Sequence, residues 1–152
     1  MSELVIRPAR PEDITQLHAL AREVITKCYT PFLGQKMVDR YIDSGAADAE
    51  ITKHYEHLSL AEHADQIVGL AVCFDDLVHL LMTRLDQQRC GVGTSLLRWC
   101  EAQIVSRGHQ SARLETFSDN AQARQFYFKN GWKEVGKTSE SGVPMVYFEK
   151  SL

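Results

Sequence analysis

The chain has 152 residues, 44% hydrophobic and 24% charged, with a formal net charge of −3. These are the proportions of an ordinary globular protein, and one domain of this length buries a sizeable core. The charge balance gives no electrostatic case for nucleic acid, and no apolar run approaches the roughly 20 residues that cross a bilayer.

The predicted elements follow from hydrophobic spacing. Leu4 to Pro8 reads as a first strand, and Ile14, Leu17, Leu20, Ala21 and Val24 then fall at helical spacing. Thr30-Pro31 is expected to break that helix, with a second helical region from about Gln35 through Ile42 and another from Ala47 to His54. His57 to Glu62 and Gln66 to Phe74 read as a hairpin around His63-Ala64-Asp65. Leu77 to Thr83 is the next strand and leads into Gln88-Arg89-Cys90-Gly91-Val92-Gly93. Val92, Leu96, Leu97, Cys100, Ile104 and Val105 give the following helix a buried stripe, which Gly108 closes. Ala112 to Phe117 is a strand and Ala121 to Asn130 a helix. Trp132 to Lys137 and Val143 to Lys150 form a final strand pair. This order predicts an α+β fold, with parallel pairing between the strands that flank the glycine-loop helix.

Met1-Ser2-Glu3-Leu4 lacks the basic and then apolar pattern of a secretory leader. The four cysteines (Cys28, Cys73, Cys90, Cys100) show no Cys-x-x-Cys spacing. Both features predict a cytoplasmic protein with reduced thiols. No repeat or linker divides the chain, so one domain over residues 1–152 is expected.

The glycine stretch carries the chemistry. Two glycines at a helix start let the backbone approach a ligand, because neither has a Cβ to hold it off. The first amides of the helix lack intrahelical partners and suit an anionic phosphate, and Arg89 adds a positive charge. The stretch is not a Walker loop, which needs Gly-x-x-x-x-Gly-Lys-Ser/Thr. Nor is it a dinucleotide fingerprint, since Leu96 occupies the third glycine's position. Its Gln-x-x-Gly-x-Gly form resembles the acyl-CoA pyrophosphate loop of the GCN5-related N-acetyltransferases, the GNAT family.

A second motif follows about thirty residues later. Asn120-Ala121-Gln122-Ala123-Arg124-Gln125-Phe126-Tyr127-Phe128-Lys129-Asn130-Gly131-Trp132 resembles the family's Asn-x-x-Ala-x-x-Phe-Tyr-x-x-x-Gly-Phe/Trp segment. The two motifs stand in family order, separated by a helix and a strand. The likeness is tightest from about Leu77 to Val135. It extends to Ile6-Arg7-Pro8-Ala9 and Pro11-Glu12-Asp13, while Thr26 to His57 matches nothing specific.

The resemblance implies a mixed, mostly antiparallel central sheet flanked by helices, with a parallel splayed strand pair at the acyl-CoA site. Main-chain groups of Leu81, Met82 and Thr83 would pair with the pantetheine arm. Gln88 and the amides of Arg89, Cys90, Gly91, Val92, Gly93 and Thr94 would cradle the pyrophosphate. Asn120 matches the family asparagine that contacts the cofactor arm, and it equally suits the N-cap of the helix that follows. Tyr127 stands where the family places a phenol beside the cofactor sulfur. A phenol there would donate a proton to the departing thiolate, whereas the bland reading is a packed aromatic. Phe126 is assigned to the core.

His79 alternates onto one strand face with Leu81 and Thr83. Its ordinary pKa of about 6.5 would suit a general base for the amine, with water or Asp76 as the other candidates. His54-x-x-His57 would place two imidazoles on one helical face, but no further ligands cluster with them in sequence, so no metal is expected. Cys90 sits in the phosphate loop, where oxidation would block the cofactor; a chance cysteine is the simpler reading. Trp99 is assigned to helix packing, and the Ser139–Pro144 loop to the substrate rim. Thr83-Arg84-Leu85 stands where the family commonly has Val-x-Pro, and Arg89 where glycine is frequent, which leaves the loop amides in place.

The expected activity is acetyl transfer from acetyl-CoA to a primary amine, on a small molecule or a protein, by direct attack, with no nucleic acid or membrane partner. A homodimer stays open. The rival readings are a catalytically silent CoA-binding module and a nucleotide binder that uses only the glycine loop.

Overall fold

A computed structural model describes residues 3–140 and 142–152. It is an α+β fold built on a seven-stranded mixed sheet of order β1-β2-β3-β4-β5-β7-β6. The strands are β1 (Val5–Pro8), β2 (Leu58–His63), β3 (Gln66–Phe74), β4 (Leu77–Thr83), β5 (Ser111–Phe117), β6 (Lys133–Thr138) and β7 (Met145–Ser151). The helices are α1 (Ile14–Val24), α2 (Thr30–Leu33), α3 (Gln35–Asp43), α4 (Ala46–Lys53), α5 (Val92–Ser106) and α6 (Ala121–Lys129). β4 and β5 run parallel and meet at Leu77 and Arg113, as the sequence predicts. The chain falls into two compact units. One is the chain up to Val72 with Leu80–Trp99; the other is Cys73–His79 with Cys100–Leu152.

In the first unit, β2 pairs antiparallel with β1 and β3. The β2–β3 hairpin turns on Ala64 and Asp65 at φ 51° and 61°, the twist that two-residue hairpin loops require. Asp13 sets the start of α1. Its carboxylate accepts the Arg10 amide at 2.7 Å and the Arg7 guanidinium at 2.8 and 3.0 Å, and Arg7 also binds Glu62. The Arg7 hydrogen bond holds the Asp13 carboxyl below the usual carboxylate range against the opposing effect of burial. Leu17, Leu20, Ala21 and Val24 turn inward along α1, and the part of β3 in this unit is buried from Ile67 to Val72.

The expected break at Thr30-Pro31 is absent. The chain passes from α1 through a π-helical turn, Ile25–Tyr29, into α2, and stops at Gly34 with φ +88°. The wide turn accommodates a proline that a regular helix would reject.

In the second unit, β7 pairs antiparallel with β5 and β6. The stripe expected on α5 holds from Val92 to Ile104, but Val105 is 51% exposed. It stands about 100° further round the helix than Ile104, past the edge of the buried face. α5 ends in a Schellman motif. The His109 amide reaches the Ile104 carbonyl at 3.3 Å, the Gly108 amide reaches Val105 at 2.9 Å, and Gly108 supplies φ +92°. Glu101 is buried on this helix and accepts from Trp132 Nε1 at 3.1 Å and Lys150 Nζ at 3.0 Å. Nothing in the sequence patterning marks that network.

Candidate functional site

The first unit carries the glycine loop. The end of β4 is anchored by the Arg84 amide, which donates to the Val68 carbonyl at 2.8 Å. The Arg84 guanidinium is held in a fork by Asp86, at 2.9 and 2.5 Å, and by Gln66 at 3.1 Å. A 3-10 turn, Leu85–Gln87, follows. The Gln88 side chain then reaches back to the Thr83 carbonyl at 3.4 Å and pins the loop to the strand end. Arg89 and Gly91 both adopt left-handed backbone, at φ 68° and 85°. This conformation suits Gly91, which lacks the Cβ that makes it unfavourable elsewhere. The first rung of α5 runs from the Ser95 amide to the Gly91 carbonyl at 3.0 Å. The amides of Val92, Gly93 and Thr94 therefore have no acceptor inside the helix. Arg89 and Cys90 are exposed beside them, and the loop offers an anion several N–H donors together with a guanidinium.

The second unit carries the other motif, whose parts have distinct jobs. Asn120 caps α6, its side-chain oxygen accepting the Ala123 amide at 3.2 Å, so the capping role read from the sequence is realised. At the other end, Gly131 at φ +88° makes a second Schellman turn: its amide reaches Phe128 at 3.1 Å, and the Trp132 amide reaches Tyr127 at 3.0 Å. Such a turn brings the residue after the glycine against the residue four positions before it. Here that contact is Trp132 against Tyr127, ring centroids 6.1 Å apart. Phe148 at 5.7 Å and Phe126 at 5.3 Å also flank the Tyr127 ring. The spacing Tyr-x-x-x-Gly-Trp is thus a device that fixes the tyrosine ring.

A family model described as an acetyltransferase (GNAT) domain matches residues 15–152. The chain belongs to the GNAT acetyltransferase family. No curated protein matches it in sequence, but solved structures share its fold. An N-acetyltransferase from Thermoplasma acidophilum, PaiA, in complex with coenzyme A is 20% identical, with 99% of each chain covered and a TM-score of 0.84. A GCN5-related N-acetyltransferase from Rhodopseudomonas palustris is 23% identical over 100% of this chain and 98% of its own, also at 0.84. The apo form of YjaB from Escherichia coli is 21% identical over 97% of both chains, at 0.77.

Within this GNAT domain the remaining sequence-predicted residues fall as follows. Met82 is 4% exposed, while Leu81 and Thr83 on the opposite strand face are half-buried. His79 shares that half-buried face, its ring 5.7 Å from Phe74. The core assignment of Phe126 is reversed: it is half-buried, and Tyr127 is the inward ring at 8% exposure. His54 and His57 share no helical face, because α4 ends at Lys53 and His57 lies in the following 3-10 turn. Trp99 packs as expected and donates to Ser59 at 3.0 Å. The Ser139–Pro144 loop joins β6 to β7, with Ser141 outside the described residues. Among the described residues no helix is long and apolar enough to cross a membrane.

Proposed function

We propose that this chain is a single N-acetyltransferase domain over residues 1–152 that moves an acetyl group from acetyl-CoA to a primary amine in the cytoplasm. The observation that carries the reading is the glycine loop, with its left-handed Gly91 and the open first amides of α5. The coenzyme A in the similar Thermoplasma structure supports it. The amides from Arg89 to Thr94, with Gln88 holding the loop, bind the pyrophosphate. Main-chain groups of Leu81, Met82 and Thr83 pair with the amide-rich pantetheine arm, and Asn120 contributes a further contact beside its capping role.

The neutral amine attacks the thioester carbonyl, and a backbone amide near Met82 or Thr83 stabilises the oxyanion. As the carbon–sulfur bond breaks, the Tyr127 hydroxyl gives a proton to the thiolate, whose parent thiol has a pKa of about 8.5. The proton lost by the amine goes to His79 or to water.

The test is a panel of small-molecule and peptide amines with acetyl-CoA, read by free-thiol release and by mass spectrometry of the product. Acetylation of at least one amine, abolished by a Gly91→Val substitution that also weakens CoA binding in calorimetry, is the expected result. The burial of Tyr127 among three aromatic rings favours one alternative, a CoA-binding module without turnover. CoA binding with no acetylated product across the panel would select it.

A further inference from the structure

Two thiols that the proposed reaction does not use lie against one another in the second unit. Cys73 ends the buried run of β3 at 5% exposure, and Cys100 faces it from α5 at 0%. Cys73 Sγ donates to the Cys100 carbonyl oxygen at 3.7 Å, which sets the two cysteines side by side across the strand and the helix. Arg107, just past the end of α5, reaches over the strand end. Its guanidinium donates to Cys73 Sγ at 3.5 Å, to the Cys73 carbonyl at 3.3 Å and to the Asp75 carbonyl at 3.2 Å.

We propose that Cys73 and Cys100 are an oxidisable dithiol, which a small hydroperoxide closes to an intramolecular disulfide, with Arg107 holding Cys73 as the attacking sulfur.

Three features support this assignment, which stands independently of acetyl transfer. With Cys73 Sγ already against the Cys100 main chain, closing the pair needs only a short further approach, and Cys73 sits one residue before the end of its strand, where the backbone yields most easily. Arg107, whose guanidinium meets the Cys73 sulfur, is itself an exposed residue and lies on the solvent side of the pair. The charges separate the roles of the two thiols. The Cys100 hydrogen bond, with help from Arg107, holds the Cys73 thiol below its ordinary range despite burial. The same hydrogen bond, burial and the Glu101 carboxylate push Cys100 up, with Arg107 opposing. With the Arg107 guanidinium on its sulfur, Cys73 is the one of the pair that loses its proton more readily, the asymmetry that thiol oxidation needs.

The chemistry balances in two steps. The Cys73 thiolate attacks the peroxide; a sulfur–oxygen bond forms as the oxygen–oxygen bond breaks, and the departing alkoxide takes a proton from water. Cys100 then attacks the sulfenic sulfur, forms the sulfur–sulfur bond and expels hydroxide, which leaves as water with the Cys100 proton. One hydroperoxide is reduced and two thiols are oxidised. A dithiol reductant restores the pair by exchange.

The test uses the full chain with Cys28 and Cys90 replaced by serine, which leaves Cys73 and Cys100 as its two thiols. Hydrogen peroxide should lower the intact mass by about 2 Da, and digestion should yield one peptide pair linked through Cys73 and Cys100, released by dithiothreitol. Adding Cys100→Ser should leave a sulfenic acid at Cys73, about 16 Da heavier and trapped by dimedone. Arg107→Gln should slow disulfide formation about tenfold at neutral pH, as the thiolate fraction falls. If a serine variant fails to fold, mapping the parent decides: a Cys73–Cys100 link supports the assignment, and a Cys28–Cys90 link or none overturns it. Peroxide that oxidises Cys90 in the parent yet leaves both buried thiols intact overturns it, as does an unchanged rate in Arg107→Gln.

Discussion

Gly69, in the middle of β3, is a sharp test of how closely the first unit is packed. Its backbone is ordinary, so an alanine meets no conformational penalty, and the question is one of space alone. A Cβ built there would lie 2.8 Å from Leu96 Cδ1, 3.0 Å from the Met82 carbonyl oxygen and 3.1 Å from Val92 Cγ1. Carbon atoms prefer about 3.5–4.0 Å, and the obstacles have little room to retreat. Leu96 is 0% and Val92 and Met82 are each 4% exposed, and the Met82 atom is main chain. Overpacking of this kind costs about 1–3 kcal/mol, offset by roughly 0.5–1 kcal/mol because glycine loses more backbone freedom on folding than alanine. The net loss spans about 0–2.5 kcal/mol and centres a little above 1 kcal/mol, which in a chain of this size should lower Tm by roughly 2–5 °C. The strain falls on the first turn of α5 and on β4, so CoA affinity measured by calorimetry should drop with it. Gly136→Ala is the matched control. Its nearest neighbour is Tyr147 Cδ2 at an ordinary 3.5 Å, and thermal unfolding should show no loss. A Gly69→Ala protein as stable as its parent would refute the packing argument.

Three further outcomes are expected. Gly91→Ala meets no atom within 4 Å but must hold φ +85°; it should cost about 1–2 kcal/mol through left-handed strain and raise the CoA dissociation constant in calorimetry. Tyr127→Phe keeps the ring among Phe126, Trp132 and Phe148, so CoA binding should hold while single-turnover acetyl transfer falls about 100- to 10,000-fold. The Asp13 carboxyl is held below its unfolded value by Arg7. Its contribution is therefore complete above the unfolded pKa of about 3.9 and is lost as pH falls through the lower folded value. Urea midpoints should decline in that acid window, and Asp13→Asn should be less stable at pH 6 with a flatter decline.

Most of the fold was legible because strand and helix periods leave separate marks on the chain, and Ala64-Asp65, Gly108 and Gly131 stop elements where their conformations demand it. Legibility failed where geometry departs from the period. A straight-helix reading carries no sign of the π turn, so Pro31 looked like a terminator. Val105 reads as part of a stripe that ends at Ile104, because an apolar residue next to the stripe looks like part of it. At the site, the glycine loop was readable from residue type alone. The run Phe126-Tyr127-Phe128 was not, since three aromatics in a row do not announce which one faces inward. The signal was nevertheless present: the residue four positions before the C-terminal glycine is the one such a turn packs, and here that is Tyr127. The end of α4 at Lys53, which separates His54 from His57, had no comparable marker.

The π turn at Ile25–Tyr29 makes the helix length hereabouts a matter of register. A π turn holds one residue more than regular helix would, so deleting a residue here is the change that would restore an even spiral. The shortened helix would set the Pro31 ring against the carbonyl one regular turn earlier, the clash that the wide turn avoids. The extra residue and the proline are therefore tied, and losing one without the other leaves a worse helix than keeping both. Everything beyond them, from Thr30 to Gly34, is also rotated relative to the face α1 presents to the core. A change of one residue between Tyr29 and Phe32 would break the three-residue spacing that brings their rings to 5.7 Å.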